Sequence, residues 1–358
     1  MGVTIISVRP SGRRLLRFSI FIIFGEIKVR IYSLFLCVKN HAFRLNRSCM
    51  TKILVGADIG GSHITCIGVD PGGNILSDVF KIRREIDSRA SSEAILSGWC
   101  EALAGLTGLI GKVNLGGIGF AMPGPFDYPG GVAWFRGVQK YDSLYGINIR
   151  SEIRSRLGLD PSVPVRFLND ATSFAIGEAW TGKAAGFRKN MAITLGTGFG
   201  SAFIADGIPV ESGPEVPESG CVYHLPFGNS IADDNFSTRW FLARYKDITG
   251  QDIAGVREMA EMAEREGKVY SIFGEFGANM GKFLAPWLMK FNAECLTIGG
   301  NISNSYPLFE KPFRLALEKQ GCEIPVFISE LGELAGIAGA ARLCDDSFYS
   351  RLPFISDK

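Results

Sequence analysis

The chain predicts an α/β fold with mixed sheets, arranged as two similar lobes. Two segments share one layout of apolar strand, Gly-rich turn and apolar strand: ILVGADIGGSHITCIGVD at 53–70 and MAITLGTGFGSAFIADG at 191–207. Each sets β-branched residues on both sides of a turn that only glycine-rich sequence permits, which is a hairpin signal. A repeated unit of this kind implies repeated lobes. Elsewhere strand-like and helix-like patterns alternate, as they do when helices pack on mixed sheets. With 358 residues, 46% of them hydrophobic, the chain is long enough for two domains and a sizeable core.

Taken in order, the first hairpin is followed by SSEAILSGWCEALAGL, which reads as a helix, and LGGIGFAMPG, a strand running into a Pro-Gly turn. INIRSEIRSRLG is an amphipathic helix and VPVRFLND a further strand. Behind the second hairpin the pattern turns helical through STRWFLARYKDI, AGVREMAEMAERE and VYSIFGEFGANMGKFLAPWLMKF, until the strand ECLTIGG. A helix near 304–320, the strand IPVFIS and the helix ELAGIAGAARLC complete it. The small residues of that last helix predict close packing against another element.

Residues 1–50 stand apart. They hold nine Lys or Arg and one acid, so the chain from Thr51 onward is acidic at −6 although the whole sums to +2. An acidic body lacks the basic footprint of a nucleic-acid binder, and no such partner is expected. FSIFIIFG is interrupted by Glu26, Lys28 and Arg30, well short of the roughly 20 apolar residues of a membrane span. No membrane association is expected. A signal peptide fits only in outline, because Arg17 breaks the apolar core and no small-residue cleavage site follows. We expect 1–50 to be a non-native or disordered extension, with translation starting at Met50, where MTKILVGADIGG opens a strand at once. The eight cysteines form no CxxC, and several sit in apolar runs such as ITCIGV, which fits buried free thiols in a reducing cytoplasm.

The stretch VRFLNDATSFAIGEAWTGKA at 165–184 offers two chemistries. Gly177, Gly182 and Lys183 approach the phosphate loop GxxxxGK[ST], but Ala184 stands where the magnesium-binding hydroxyl belongs, and the preceding AIGEAW is helical rather than a strand. That leaves Asp170, at a strand end and helix start, where ligands commonly bind in α/β proteins. Helix capping by Asn169 or Asp170 is the plain structural alternative. Glycine turns expose backbone N–H groups and can hold phosphate without lysine. Gly60, Gly61 and Ser62 of DIGGSH, Gly196, Thr197 and Gly198 of LGTGFG, and Gly299 and Gly300 of LTIGGN are therefore candidate phosphate ligands. Asp58 could bind Mg2+ directly or through water. One such turn alone is ordinarily just a turn; two, with a third glycine pair, favour a ligand.

DIGGSH, GFAMPGPFD, NDA, LGTGFGSAF and LTIGGN, in this order over roughly 53–345, resemble the ROK family of sugar kinases and sugar-responsive repressors, in the superfamily of actin, Hsp70 and hexokinase. The resemblance implies a two-lobed actin-like ATPase (ribonuclease H-like) fold with duplicated mixed β-sheets and a central cleft. A small N-terminal lobe would span 51–168, completed by the C-terminal helix at about 334–345, and a large lobe 169–333. It further implies ATP on the glycine hairpins, a sugar deep in the cleft, Asp170 as the base and Asn169 on the sugar, and it suggests a homodimer. Phosphoryl transfer asks little covalent chemistry of a protein, so positioning, Mg2+ and one base suffice.

Departures from the family pattern fall at PESGCVYHLPFGNSIADDNFSTRW. Glu218 matches the family's sugar-binding glutamate and Asp233 its second sugar-binding acid. The usual histidine position is Cys221, and the zinc-binding cysteine cluster is absent. Zinc needs Cys or His ligands in number, so no zinc is expected. His224 either faces the sugar or is a structural histidine. In DIGGSH, Ser62 and His63 replace Thr and Lys; His63 is expected on the strand after the turn, without a catalytic role. The expected activity is ATP-dependent, glucokinase-like formation of a hexose 6-phosphate, with fructose, mannose or an N-acetylhexosamine as alternative substrates. A sugar-sensing regulator is the second class, and residues 1–50 lack the helix-turn-helix it needs. A sugar-binding protein without catalysis is the third.

Overall fold

The computed structural model describes residues 52–137, 140–263 and 265–356, and the expectation for residues 1–50 lies outside them. In the first lobe, β1 (Ile53–Ile59), β2 (His63–Val69) and β3 (Lys81–Glu85) precede α1 (Ser92–Ile110) and β4 (Leu115–Met122). A small ribbon, β5 (Phe126–Asp127) with β6 (Val132–Ala133), leads to α2 (Ile149–Leu157) and β7 (Val165–Asn169), from which α3 (Asp170–Thr181) passes onto the second sheet. The second lobe holds β8 (Lys189–Leu195), β9 (Phe199–Ala205) and β10 (Ile208–Pro209), then a ribbon of β11 (Pro226–Phe227) and β12 (Ser230–Ile231). Four helices follow: α4 (Ala232–Asn235), α5 (Thr238–Thr249), α6 (Val256–Ala263) and α7 (Gly267–Phe291). β13 (Cys295–Gly299), α8 (Tyr306–Glu318), β14 (Val326–Ile328) and α9 (Glu333–Arg342) complete the pattern.

The sequence repeat is a repeat of topology. The sheets run β3-β2-β1-β4-β7 and β10-β9-β8-β13-β14. In each, an antiparallel hairpin is extended by two parallel strands, β4 and β7 on β1, β13 and β14 on β8. Parallel neighbours require helical crossovers, which α1, α2, α7 and α8 supply. The cores are separate. Trp99 and the stacked Phe120 and Phe167 anchor the first, and a phenylalanine cluster including Phe241, Phe276 and Phe309 fills the second.

Helices α3 and α9 pack on each other; α9 also lies on β1 and β4, and α3 on β8 and β9. Glycines make this approach close enough for backbone contact. A Cβ on Gly56 or Gly119 would run into the carbonyls of Ile337 or Ala340, and one on Gly177 into that of Ala335. The small residues of α9 therefore do what their sequence suggested. Among the described residues no helix is long and apolar enough to cross a membrane.

Candidate active site

The first glycine turn lies between β1 and β2. Gly60 N–H donates to the His63 carbonyl at 3.0 Å, which closes the turn and leaves Gly61 and Ser62 exposed. The carboxylate of Asp58, near the end of β1, makes no hydrogen bond among the described residues. Burial raises its carboxyl to about 7; the charges of Asp170 and Glu333 push the same way and Arg83 opposes them. His63 opens β2, as expected, and its Nε2 lies 3.1 Å from Glu333 Oε1. The same oxygen accepts from the Thr65 hydroxyl at 2.8 Å and from Arg83 at 3.3 Å. Ligand atoms of Asp58, His63 and Glu333 lie within 4.8 Å of one another, a grouping able to hold a cation.

Asp170 is the first residue of α3, and the cap is its neighbour. Asn169 Oδ1 accepts from the N–H groups of Ala171 (3.0 Å) and Thr172 (3.2 Å), satisfying the helix start. Asp170 Oδ1 accepts from Ala171 N–H at 2.8 Å. Asp170 is exposed as a residue, yet protein atoms crowd its carboxyl. That desolvation raises its pKa, while hydrogen bonding to Ala171 and the charge of Lys140 lower it. Asn169 also donates to the Tyr128 hydroxyl at 3.3 Å. Burial raises the Tyr128 pKa, the hydrogen bond from Asn169 opposes it, and the charges of Asp170, Glu211 and Tyr223 add to the rise.

The second glycine turn closes on the same helix start. A Cβ on Gly200 would meet Ala171 Cβ at 2.7 Å, and one on Gly300 would meet Leu195 N at 2.7 Å, so β9, α3, β8 and the turn after β13 converge. Thr197 is exposed at the tip. Asp233 spends Oδ1 on Phe199 N–H (2.6 Å) and Oδ2 on Arg239 (2.5 Å), and Arg239 also donates to the Thr197 carbonyl at 2.8 Å. As placed, Asp233 braces the second turn. Glu218 is exposed and without a hydrogen bond among the described residues. Cys221 Sγ and His224 Nδ1 lie 3.9 Å apart. Lys183 is paired with Glu330 at 2.7 Å.

Several participants carried no sequence signal. Lys140 and Tyr128 sit in aperiodic connections, Glu211 follows a two-residue strand, and Glu333 meets His63 across 270 residues. Only the tertiary fold brings them together.

Two lobes of one repeated topology, each a mixed sheet with a glycine turn and packed on one helix pair, define a two-lobed α/β fold. The sequence profile of the ROK family matches residues 54–347, and the chain belongs to that family. It is 26% identical to a glucokinase of Thermotoga maritima over 327 residues, covering 81% of this chain and 96% of that protein. Identity to an N-acetyl-D-glucosamine kinase of Haemophilus influenzae is 27% over 259 residues, 64% of this chain and 81% of the relative. The fold matches a ROK family glucokinase from Streptomyces griseus in complex with glucose and AMPPNP, with TM-score 0.65, 22% identity and coverage of 81% and 98%. A ROK family transcriptional regulator, a homologue of E. coli MLC, aligns with TM-score 0.68 at 14% identity, covering 84% of this chain and 79% of that one, so the fold alone does not assign chemistry. Family and kinase relatives together make the chain a sugar kinase by class.

Proposed function

We propose that the chain transfers the γ-phosphoryl group of ATP to a hexose hydroxyl, forming a sugar 6-phosphate, with Asp170 as general base. One observation carries this reading: the helix start is capped by Asn169, so the raised-pKa carboxyl of Asp170 is left for other work, facing Asp58 of the first glycine turn. The Asp170 carboxylate takes the hydroxyl proton as the oxygen attacks phosphorus. Asn169 offers its amide to the sugar with Glu218 as a further acid of the sugar side, whereas Asp233, the second acid expected there, is spent on Phe199 N–H and Arg239. The turns of Gly60, Gly61 and Ser62, of Gly196, Thr197 and Gly198, and of Gly299 and Gly300 hold the nucleotide phosphates; Gly61, Ser62, Thr197 and Gly300 are the exposed members, while the N–H groups of Gly60 and Gly196 close their own turns on His63 and Gly198.

The donor set also suits a divalent cation. Burial, with the charges of Asp170 and Glu333 adding to it, raises Asp58 to about 7, an imbalance that a cation at Asp58 would relieve. Mg2+ bound there would neutralise charge on the phosphates during transfer. No zinc is part of this reading.

The test is ADP production with glucose, mannose, fructose, N-acetylglucosamine and N-acetylmannosamine, each with Mg2+ and after chelation. We expect glucose to be turned over, with activity lost on chelation and restored by Mg2+ alone. Sugar binding without ADP from any member of the panel would instead assign a sugar-sensing or non-catalytic role.

A further inference from the structure

We propose that Lys140 is a catalytic residue that holds the transferred phosphoryl group between the first glycine turn and Asp170; this rests on the phosphotransfer reading above. Its place is set by the next residue. Tyr141 has φ of 63°, a left-handed conformation that a bulky side chain adopts only where its surroundings enforce it. The enforcement is visible. The Tyr141 ring is fully buried, with centroids 5.4 Å from Trp99 and 5.7 Å from Phe135. Its hydroxyl donates to the Gly60 carbonyl at 2.6 Å, and its N–H to the Ser88 carbonyl at 2.7 Å. The turn that would hold phosphate and the segment bearing Lys140 are thus tied together by one hydrogen bond.

Lys140 consequently runs across the face of the turn. A Cβ at Gly61 would lie 3.8 Å from Lys140 Cδ and 4.0 Å from its Nζ, in van der Waals contact with the lysine. From the other side its charge reaches Asp170, whose pKa it lowers. Lys183, Lys189 and Lys246 all pair with carboxylates, whereas Lys140 makes no salt bridge or hydrogen bond among the described residues. An unpaired ammonium fixed between phosphate-binding amides and a base is suited to an anion whose charge is shared by three equatorial oxygens. In the transfer, the sugar oxygen forms its bond to the γ-phosphorus as the bond to the bridging oxygen of ADP breaks. The hydroxyl proton passes to Asp170, and Lys140 keeps its own proton throughout.

Lys140→Met and Lys140→Arg test this, with Lys183→Met as control. Lys140→Met should lower kcat about 10²-fold or more, the loss typical for one transition-state donor, with sugar KM unchanged. Lys140→Arg should recover part of it. Asp170 is also faced by Asp58 and Tyr128, both intact in the variant. Loss of the lysine charge should therefore raise the Asp170 pKa and move the acid limb of the kcat profile to higher pH. Calorimetry gives a second readout: wild type should bind AMPPNP more tightly than ADP, and Lys140→Met should lose that preference while its ADP affinity stays. Unchanged kcat and nucleotide preference in Lys140→Met would overturn the proposal. So would a loss of kcat with acid limb and preference both unmoved, the mark of a structural role. A wild type silent on every hexose would sink the kinase reading, and the nucleotide preference would still decide the case of Lys140.

Discussion

Asp170 and Asn169 divide two duties that sequence alone left joined. Asn169 caps α3, so Asn169→Ala should cost about 0.5–2 kcal/mol of stability, read by chemical denaturation. Asp170→Asn keeps shape and most hydrogen bonds; we expect kcat to fall roughly 10²–10⁴-fold, with melting temperature and substrate binding nearly unchanged. An active Asp170→Asn enzyme would remove the base from the mechanism. Asp58 makes a separate pH prediction. Its folded pKa of about 7 lies above the ordinary carboxylate value near 4, so its contribution to stability is fully present below about pH 4 and lost as pH rises through about 7. Wild type should thus lose melting temperature relative to Asp58→Asn between about pH 4 and 8, and Mg2+ with nucleotide should restore part of the loss at the upper end. Parallel melting curves for the two proteins across that range would contradict the assignment. Lys140, Tyr141 and Glu333 were illegible beforehand because no period or motif marks a loop lysine or a helix-start glutamate as facing a turn far away in sequence.

At the scale of elements, glycines explain the false phosphate loop. Gly177 is a packing residue, pressed on the Ala335 carbonyl where α3 crosses α9, and Gly182 ends α3. Gly177→Ala forces the helices apart and should destabilise by about 1–3 kcal/mol, the usual cost of overpacking. Gly108→Ala in α1, where nothing lies within 4 Å of the new methyl, should instead stabilise by about 0.5–1 kcal/mol. The pair of denaturation midpoints moving in one direction would refute the packing argument. Lys183→Ala removes a mostly exposed ion pair with Glu330 and should leave kcat, nucleotide KM and, within about 1 kcal/mol, stability unchanged. Loss of ATP binding in that variant would revive the phosphate-loop reading. The main helices and strands were legible because their patterns exceed the noise of local propensity. The two-residue ribbons β5–β6 and β11–β12 were not, since so short a run has no period to read.

At the scale of the whole molecule, α3 and α9 form a layer shared by both sheets, so neither lobe buries its face without the other. Thermal unfolding should therefore occur in one transition, raised as a unit by substrate sugar; two resolved transitions, with sugar moving only one, would show the lobes to be independent. The duplicated hairpins, the alternation of strands and helices and the small-residue face of α9 were determined by sequence alone, because glycine turns and apolar periods are local constraints that survive any context. The strand order of each sheet, the return of α9 to β1, the cap at Asn169 and the meeting of Asp58, Asp170, Glu333 and Lys140 were decided by tertiary structure. Those arrangements depend on burial and backbone approach between residues far apart in the chain, and burial is also what shifts the carboxyls toward neutral pH, a property that no residue has before the chain folds.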